Sequence, residues 1–189
     1  DYTDMQRSAQ DQNGTQAGAA ILTAGSAAIY GFELETMIKP FDSLSVSLNY
    51  AYNHGEYKQF NIQNTSANPA LSCTGEKVTT GGSVDLSCVP FQYLPTHQGS
   101  INARYTLPLN EDIGTANISL TYSYVGRQYS SSYTRPEAEP GSYLDSFGLA
   151  NASADWKNVM GSNFDIQAFG TNLTNKEYRI SNSNVWTGL

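Results

Sequence analysis

Apolar and polar side chains alternate along several strand-length stretches of this chain, and this pattern limits the fold more than any other feature. In 43–52, apolar or aromatic side chains occupy every second position, and small or polar side chains occupy the others. Because successive side chains of a β-strand point to opposite faces, the pattern predicts strands with one apolar and one polar face. The same period recurs, less regularly in the last stretch, in 31–38, 100–107, 116–124, 148–156 and 164–172.

The connections between these predicted strands alternate in length. Residues 1–8 are predicted to end one further strand, so the chain is expected to be all-β, with about seven strands. The short connections are 39–42, 108–114 and 157–163, and the longer ones are 10–24, 53–93 and 130–142. In an antiparallel up-and-down meander, all short turns then lie at one end and all long loops at the other, as in outer-membrane barrels.

Aromatic side chains are expected at two heights on the apolar face. With a rise of about 3.3 Å per residue and a tilt of about 40°, the sequence separation of eleven between Phe41 and Tyr52 corresponds to about 28 Å. A membrane barrel carries an apolar band of about 25 Å between two aromatic girdles. The aromatic residues next to long loops are Tyr50, Tyr52, Tyr122, Tyr124 and Tyr129, and those next to short turns are Phe41, Trp156 and Phe164.

Charged and amide side chains fall on the opposite face, which is expected to line a lumen. On the lipid face, an arginine at mid-depth would cost about 2–4 kcal/mol, whereas in a wet lumen it costs little. A soluble antiparallel β-sandwich also alternates, but it has no reason to collect its long loops at one end. The lumen-facing candidates are Glu33, Glu35, Asn49, Arg104, Asn117, Asn151, Asp155 and Asp165.

Composition and residue chemistry exclude several functions. A net charge of −7 argues against a nucleic-acid partner, because binding phosphates needs a surplus of Lys and Arg. Glu33 and Glu35 would lie about 6.5–7 Å apart on a strand, a spacing that suits a glycosidase, but lumen-lining is the simpler interpretation. No catalytic residue, cofactor or metal site is therefore predicted, and His54 and His97 are expected to be solvated residues flanking the longest loop.

The two cysteines suit a disulfide bond. Cys73 and Cys88 lie in the long loop 53–93, within a stretch rich in Gly, Ser and Thr. A zinc site would require four N or S ligands, which this stretch does not offer. A disulfide in an oxidising compartment is therefore expected, and it would stabilise the loop by about 3 kcal/mol.

Several stretches resemble the barrel of TonB-dependent outer-membrane receptors. The most specific is 172–178 (NLTNKEY), which is similar to the family's NL-[TF]-[ND]-x-x-Y motif near the C-terminus. The others are 30–35 (YGFELE), Pro40, 44–52 (LSVSLNYAY), Tyr57, 94–97 (LPTH) leading into Tyr105, and 124–129 (YVGRQY).

The resemblance implies a portion of a large transmembrane barrel of about 22 strands. Residues 1–189 are expected to be a partial barrel domain without the family's plug domain or final strand. Its partners would be outer-membrane lipid, the plug and remaining strands, the TonB complex through a separate N-terminal segment, and a small-molecule ligand at the external loops.

The function implied is that of a transporter in the outer membrane of a Gram-negative bacterium, driven through TonB. An iron–siderophore complex is the expected ligand, ahead of haem, cobalamin or carbohydrate. The alternative is a soluble surface-exposed β-domain acting as a binding or adhesion module.

Overall fold

Seven strands form one antiparallel sheet in chain order. The computed structural model describes residues 2–10, 19–64, 68–130 and 141–181. The strands are β1 (Tyr2–Gln10), β2 (Ala19–Phe41), β3 (Leu44–Gln59), β4 (His97–Thr106), β5 (Thr115–Val125), β6 (Phe147–Lys157) and β7 (Ile166–Gly170). Each strand pairs with the next along the chain, which confirms the predicted up-and-down meander.

The remaining elements lie in the connections. Two 3-10 helices, Glu111–Ile113 and Val159–Gly161, occupy short turns. No helix in the described ranges is long and apolar enough to cross a membrane. Three short hairpins stand in the longer loops, pairing Asn61–Gln63 with Ser83–Asp85, Ala70–Leu71 with Lys77–Val78, and Gln128–Tyr129 with Tyr143–Leu144. Residues 11–18 of the predicted connection 10–24 and residues 131–140 of the predicted connection 130–142 lie outside the described residues.

Strand register joins the alternating residues into two continuous faces. Leu48 lies opposite Ile101, and Leu120 lies between Ala103 and Ala152, so these side chains share one side of the sheet, the apolar face. The opposite side, the polar face, carries rows such as Ser47, Asn102, Thr121 and Asn151. Because paired residues across strands point the same way, the two faces follow directly from the sequence period and this register.

The apolar face has no second layer packed on it in the described part of the chain. Leu120 is 57% exposed and Leu34 is 46% exposed, although both stand in the middle of long strands. A sandwich would bury these side chains against a facing sheet. The main buried cluster, the loop core, instead lies at the long-loop end and consists of Ala27, Tyr57, Phe60, Val84, Leu86, Val89, Phe91 and Tyr129.

Three strands differ clearly from the sequence prediction. β2 was expected over 31–38, but it runs from Ala19 to Phe41, so the second half of the predicted connection 10–24 is largely strand. The apolar pattern predicts that β3 ends at Tyr52, but the strand continues to Gln59, because its alternation persists while the polarity of its two faces changes. β7 is shorter than 164–172, since Phe164 and Asp165 belong to the turn that precedes it.

Candidate functional site

The two faces of β3 exchange polarity just beyond Tyr52. On the apolar face, the side chains from mid-strand to the long-loop end are Leu48, Tyr50, Tyr52, His54 and Glu56. Lys58 follows at a register shift between Tyr57 and Gln59, and its side chain reaches Glu56. On the polar face, the corresponding series is Asn49, Ala51, Asn53, Gly55 and Tyr57. Lys58 donates a hydrogen bond to Glu56, which lies on the side of β3 that is apolar as far as Tyr52. Tyr57, on the opposite side, is buried. Such an exchange is expected where a strand leaves an apolar medium for water.

The loop core is seated on the polar-face side of this strand extension. Tyr57 stacks on Phe91 with ring centroids 4.3 Å apart, and its ring lies 4.9 Å from that of Phe60. Ala27 and Ile29 of β2 lie on the same face as Glu33. Ala27 belongs to the loop core, and Ile29 packs against it. We call the described residues of 60–96 the roof, because they fold over the side of the sheet that carries the polar residues.

The roof approaches the backbone of β3 closely at Gly55. A Cβ atom at this position would lie 2.7 Å from Leu94 Cδ2 and 2.9 Å from the Phe91 ring. Gly55 therefore allows the roof to contact the backbone of β3 directly.

Substituting Gly55 with alanine is expected to loosen the roof. Overpacking of this kind typically costs about 1–3 kcal/mol, so proteolysis of the roof in Gly55→Ala should be faster than in the wild type. The neighbouring Glu56→Ala, whose side chain is on the opposite face, serves as the control. Equal protease resistance of Gly55→Ala and the wild type would contradict this packing.

A disulfide bond stabilises the roof, and hydrogen bonds connect the roof to the start of the loop that follows β5. Cys73 and Cys88 form the predicted disulfide, with Cα atoms 5.7 Å apart. The Tyr93 amide donates to the Tyr129 carbonyl at 2.9 Å, and Gln92 Nε2 donates to the Ser130 carbonyl at 2.6 Å. The two loops are thus one assembly.

Tyr129 lies in this assembly and not in an aromatic girdle. It stands next to a long loop, as expected, but its side chain is only 2% exposed and packs in the loop core. The sequence offers a signal for this difference, because Tyr129 follows Tyr124 by five positions, an odd separation that does not continue the alternation of Tyr122 and Tyr124.

The other expected girdle residues lie at the two ends of the apolar face. Tyr50 and Tyr52 on β3 share the long-loop end with Tyr122 and Tyr124 on β5. At the short-turn end, Trp156 Nε1 donates to the Ile113 carbonyl at 2.9 Å. Phe41 closes β2 at this end, and Phe164 is 77% exposed in the turn before β7.

All of the lumen-facing candidates except Asp165 share the polar face. They are Glu33, Glu35, Asn49, Arg104, Asn117, Asn151 and Asp155. Asp165 lies in the turn before β7, where its Oδ1 accepts the Asn158 amide hydrogen at 2.9 Å. Its role is to close that turn, and the predicted strand began two residues too early.

A hydrogen-bonded network occupies the polar face near the short-turn end. Arg104 Nη2 donates to Asp155 Oδ1 at 3.0 Å, and Asn117 Nδ2 donates to Asp155 Oδ2 at 2.8 Å. Thr106 Oγ1 donates to Asn117 Oδ1 at 2.7 Å. The charges of Arg104 and Asp155 balance each other, and the hydrogen bonds join β4, β5 and β6. The network therefore stiffens this part of the sheet and provides no activated nucleophile.

Replacing Asn117 with valine is expected to destabilise the sheet by about 1–3 kcal/mol, because Thr106 and Asp155 each lose a hydrogen-bond partner at a buried position. Chemical unfolding of the membrane-inserted protein measures this loss. Ser153→Ala, on the same face of β6, is the matched control. If Asn117→Val and Ser153→Ala unfold at the same denaturant concentration, the network contributes nothing.

The two histidines stand on strands and not in the loop between them. His54 lies on β3 with its ring 4.8 Å from Tyr30, and His97 begins β4 with its ring 5.4 Å from Tyr52. His97 is exposed and borders the longest loop, as expected, whereas His54 lies within β3 because this strand extends beyond its predicted end. In the part of the chain that the structure describes, no three His, Cys, Asp or Glu residues lie close enough together to hold a metal ion.

Comparison with known proteins identifies the family. A family model described as "TonB dependent receptor-like, beta-barrel" matches residues 1–173. The chain belongs to the TonB-dependent receptor family. Members of this family are outer-membrane transporters of Gram-negative bacteria and are not enzymes.

Structural comparison supports the same fold. The crystal structure of the ferric yersiniabactin uptake receptor FyuA from Yersinia pestis matches with a TM-score of 0.57 and 14% sequence identity. The match covers 89% of this chain and 22% of FyuA, so the chain spans less than a quarter of the length of that receptor. No match to the chain is found among curated proteins.

The TonB-dependent receptor motif at 172–178 forms a compact turn after β7. Asn172 has a φ of 49°, a left-handed conformation that asparagine tolerates better than most residues. Its Oδ1 accepts the Lys176 amide hydrogen at 2.8 Å, and its own amide donates to Asn151 Oδ1 at 2.8 Å. Tyr178 stacks on Phe147 with ring centroids 4.1 Å apart. Through these contacts, the motif holds the segment that follows β7 against the polar face of β6.

Proposed function

We propose that residues 1–189 form part of the wall and outer vestibule of a receptor that imports a small molecule across the outer membrane of a Gram-negative bacterium. TonB supplies the energy through a segment elsewhere in the protein. The apolar face contacts lipid, the polar face lines the lumen and meets the plug domain, and the roof contacts the ligand from outside. The transported ligand that we expect is an iron–siderophore complex.

The polarity exchange beyond Tyr52 is the observation that carries this proposal. Below it, the exposed apolar face has no layer to cover it among the described residues, and a lipid bilayer satisfies this requirement. Above it, the same side bears Glu56, which is bonded to Lys58, and both residues suit water. The strand therefore supports a position in which the boundary of the membrane lies close to Tyr52 and His54.

The position of the roof supports a role in ligand contact. The roof packs on the polar-face side of β2 and β3, directly beyond Glu33 on the same face. A ligand that approaches the lumen from the long-loop end would meet the roof first. FyuA, whose structure resembles this sheet, is a ferric yersiniabactin uptake receptor, which favours the siderophore class.

Uptake of radioactive iron tests the proposal. Cells with and without the whole receptor are given ferric complexes of phenolate, catecholate and hydroxamate siderophores, in strains with and without TonB. We expect at least one complex to accumulate only when both the receptor and TonB are present. TonB-dependent uptake of haem, cobalamin or an oligosaccharide in place of iron would overturn the ligand class, and uptake without TonB would overturn the transport mechanism.

A further inference from the structure

Both histidines of the chain lie on the apolar face at the long-loop end, on neighbouring strands. His97 is paired with Tyr52, and His54 follows Tyr52 by two residues on the same face of β3. His54 and His97 are therefore diagonal cross-strand neighbours, at a separation of about 7–8 Å. One small anionic group can lie between two side chains at this distance.

Tyrosines hold both imidazole rings in place. The His54 ring lies 4.8 Å from the Tyr30 ring. His97 Nδ1 lies 2.7 Å from Tyr50 Oη, and its ring lies 5.4 Å from that of Tyr52. We call these five residues the histidine patch. Imidazole and phenol groups are hydrogen-bond donors, so the patch presents several donors at one height.

The charges around the patch favour an anion. On the apolar face of β2 to β6, among the described residues, the only carboxylate is Glu56, and it is already bonded to Lys58. Toward the middle of the strands, the patch continues into Leu48 and Ile101, which are paired across β3 and β4. Donors at one end and an apolar surface at the other match a molecule with an anionic head and hydrocarbon chains.

We propose that the histidine patch binds the phosphate of a lipid headgroup in the outer leaflet. The imidazole and tyrosine groups donate hydrogen bonds to the phosphate oxygens, and the acyl chains lie along Leu48 and Ile101. The inference rests on the proposed function, since it requires the apolar face to be in the membrane. The patch continues into the apolar face, which the acyl chains of a lipid can contact. A free phosphate ion has no apolar part that could contact this surface, so the arrangement favours a lipid phosphate.

Lipid binding to the whole receptor in phosphatidylcholine nanodiscs tests the proposal. The probes are bis-phosphorylated lipid A and the same glycolipid without phosphates, with bound copies counted by native mass spectrometry. We expect the phosphorylated form to bind more tightly, and His54→Phe and His97→Phe, which remove the donor but keep a ring, each to weaken binding about tenfold, the effect of one charge-assisted hydrogen bond. Tyr124→Phe, at the same height on β5, is the control and should bind as the wild type does.

Three results would overturn the assignment. Equal binding of the dephosphorylated glycolipid would show that the patch does not recognise phosphate. Unchanged binding in the double histidine variant would exclude the two imidazoles. Displacement of the glycolipid by excess inorganic phosphate would indicate a site for the free ion. Failure of the receptor to insert into nanodiscs at all would contradict the proposed function, whereas loss of phosphate recognition with normal insertion contradicts only the patch.

Discussion

Replacing Leu48 with arginine is expected to destabilise the inserted protein by about 2–4 kcal/mol, the cost of a guanidinium group at mid-depth on the lipid face of a barrel. Leu48 is paired with Thr36 on one side and Ile101 on the other, well below the level of Tyr52. An arginine here must leave water for hydrocarbon, or distort the strand to reach the boundary. Reversible unfolding from lipid vesicles in guanidinium chloride gives this free-energy difference.

Ser47 is the matched control for that substitution. It is adjacent to Leu48 in the chain, at nearly the same depth, but it lies on the polar face opposite Met37 and Asn102. We expect Ser47→Arg to cost much less than Leu48→Arg, because a polar lumen hydrates the charge. Equal losses for the two variants would mean that the faces do not differ in environment, and the assignment of lipid and lumen would be wrong.

Removing the disulfide is the second change with a large expected effect. Cys73 and Cys88 close a loop with a sequence separation of 15, and the loss of such a bond lowers stability by about 3 kcal/mol through chain entropy. The double variant Cys73→Ala and Cys88→Ala should therefore open the roof locally while β1 to β7 stay paired. If proteolysis proceeds through local opening, cleavage of the roof should be roughly a hundredfold faster.

Limited proteolysis of whole cells measures this effect, with heat-dependent electrophoretic mobility as the check that the barrel remains folded. Thr74→Ala combined with Ser83→Ala, in the same loop, controls for the substitutions themselves. Treatment of the wild type with a reductant should give the same cleavage rate as the double cysteine variant. A roof that stays equally resistant without its disulfide would show that the loop core alone holds it.

The alternation in the sequence was sufficient to predict the sheet, but it could not predict the roof. In 43–52 each residue has a clear preference for one face, and the meander follows because short and long connections alternate. The buried residues of the roof, such as Phe60, Val84 and Phe91, follow no period along a stretch rich in small polar residues. Their packing depends on contacts with Tyr57 and Gly55, which no local pattern records.

The extension of β3 beyond Tyr52 shows how a correct pattern led to an incorrect boundary. A search for apolar residues on one face ends where the medium changes, although the backbone remains a strand. In retrospect, His54, Glu56 and Lys58 alternate with Gly55 and Tyr57, which is a readable signal of a strand that leaves a membrane.

The sequence predicted which residues share the polar face, but it did not predict the hydrogen bonds between them. The period of two placed Arg104, Asn117 and Asp155 on the same side, but their hydrogen bonds depend on the register between β4, β5 and β6. The register is set by pairing across strands that are far apart in sequence, so local alternation provides no direct measure of it.

Nitroxide scanning of β3 tests the central claim most directly. Single cysteines are placed at successive positions from 44 to 52 in the membrane-inserted receptor, and the native cysteines are already paired with each other. Collision of each label with oxygen, which concentrates in lipid, is compared with collision with a water-soluble nickel chelate.

We predict a period of two in this comparison, with labels at Leu44, Val46 and Leu48 favouring oxygen and labels at Ser45 and Ser47 not doing so. This result would place the apolar face against hydrocarbon and the polar face against water. If labels at Leu44 and Leu48 are instead as accessible to nickel as the label at Ser47, or are shielded from both reagents, the apolar face does not contact lipid and the account is wrong.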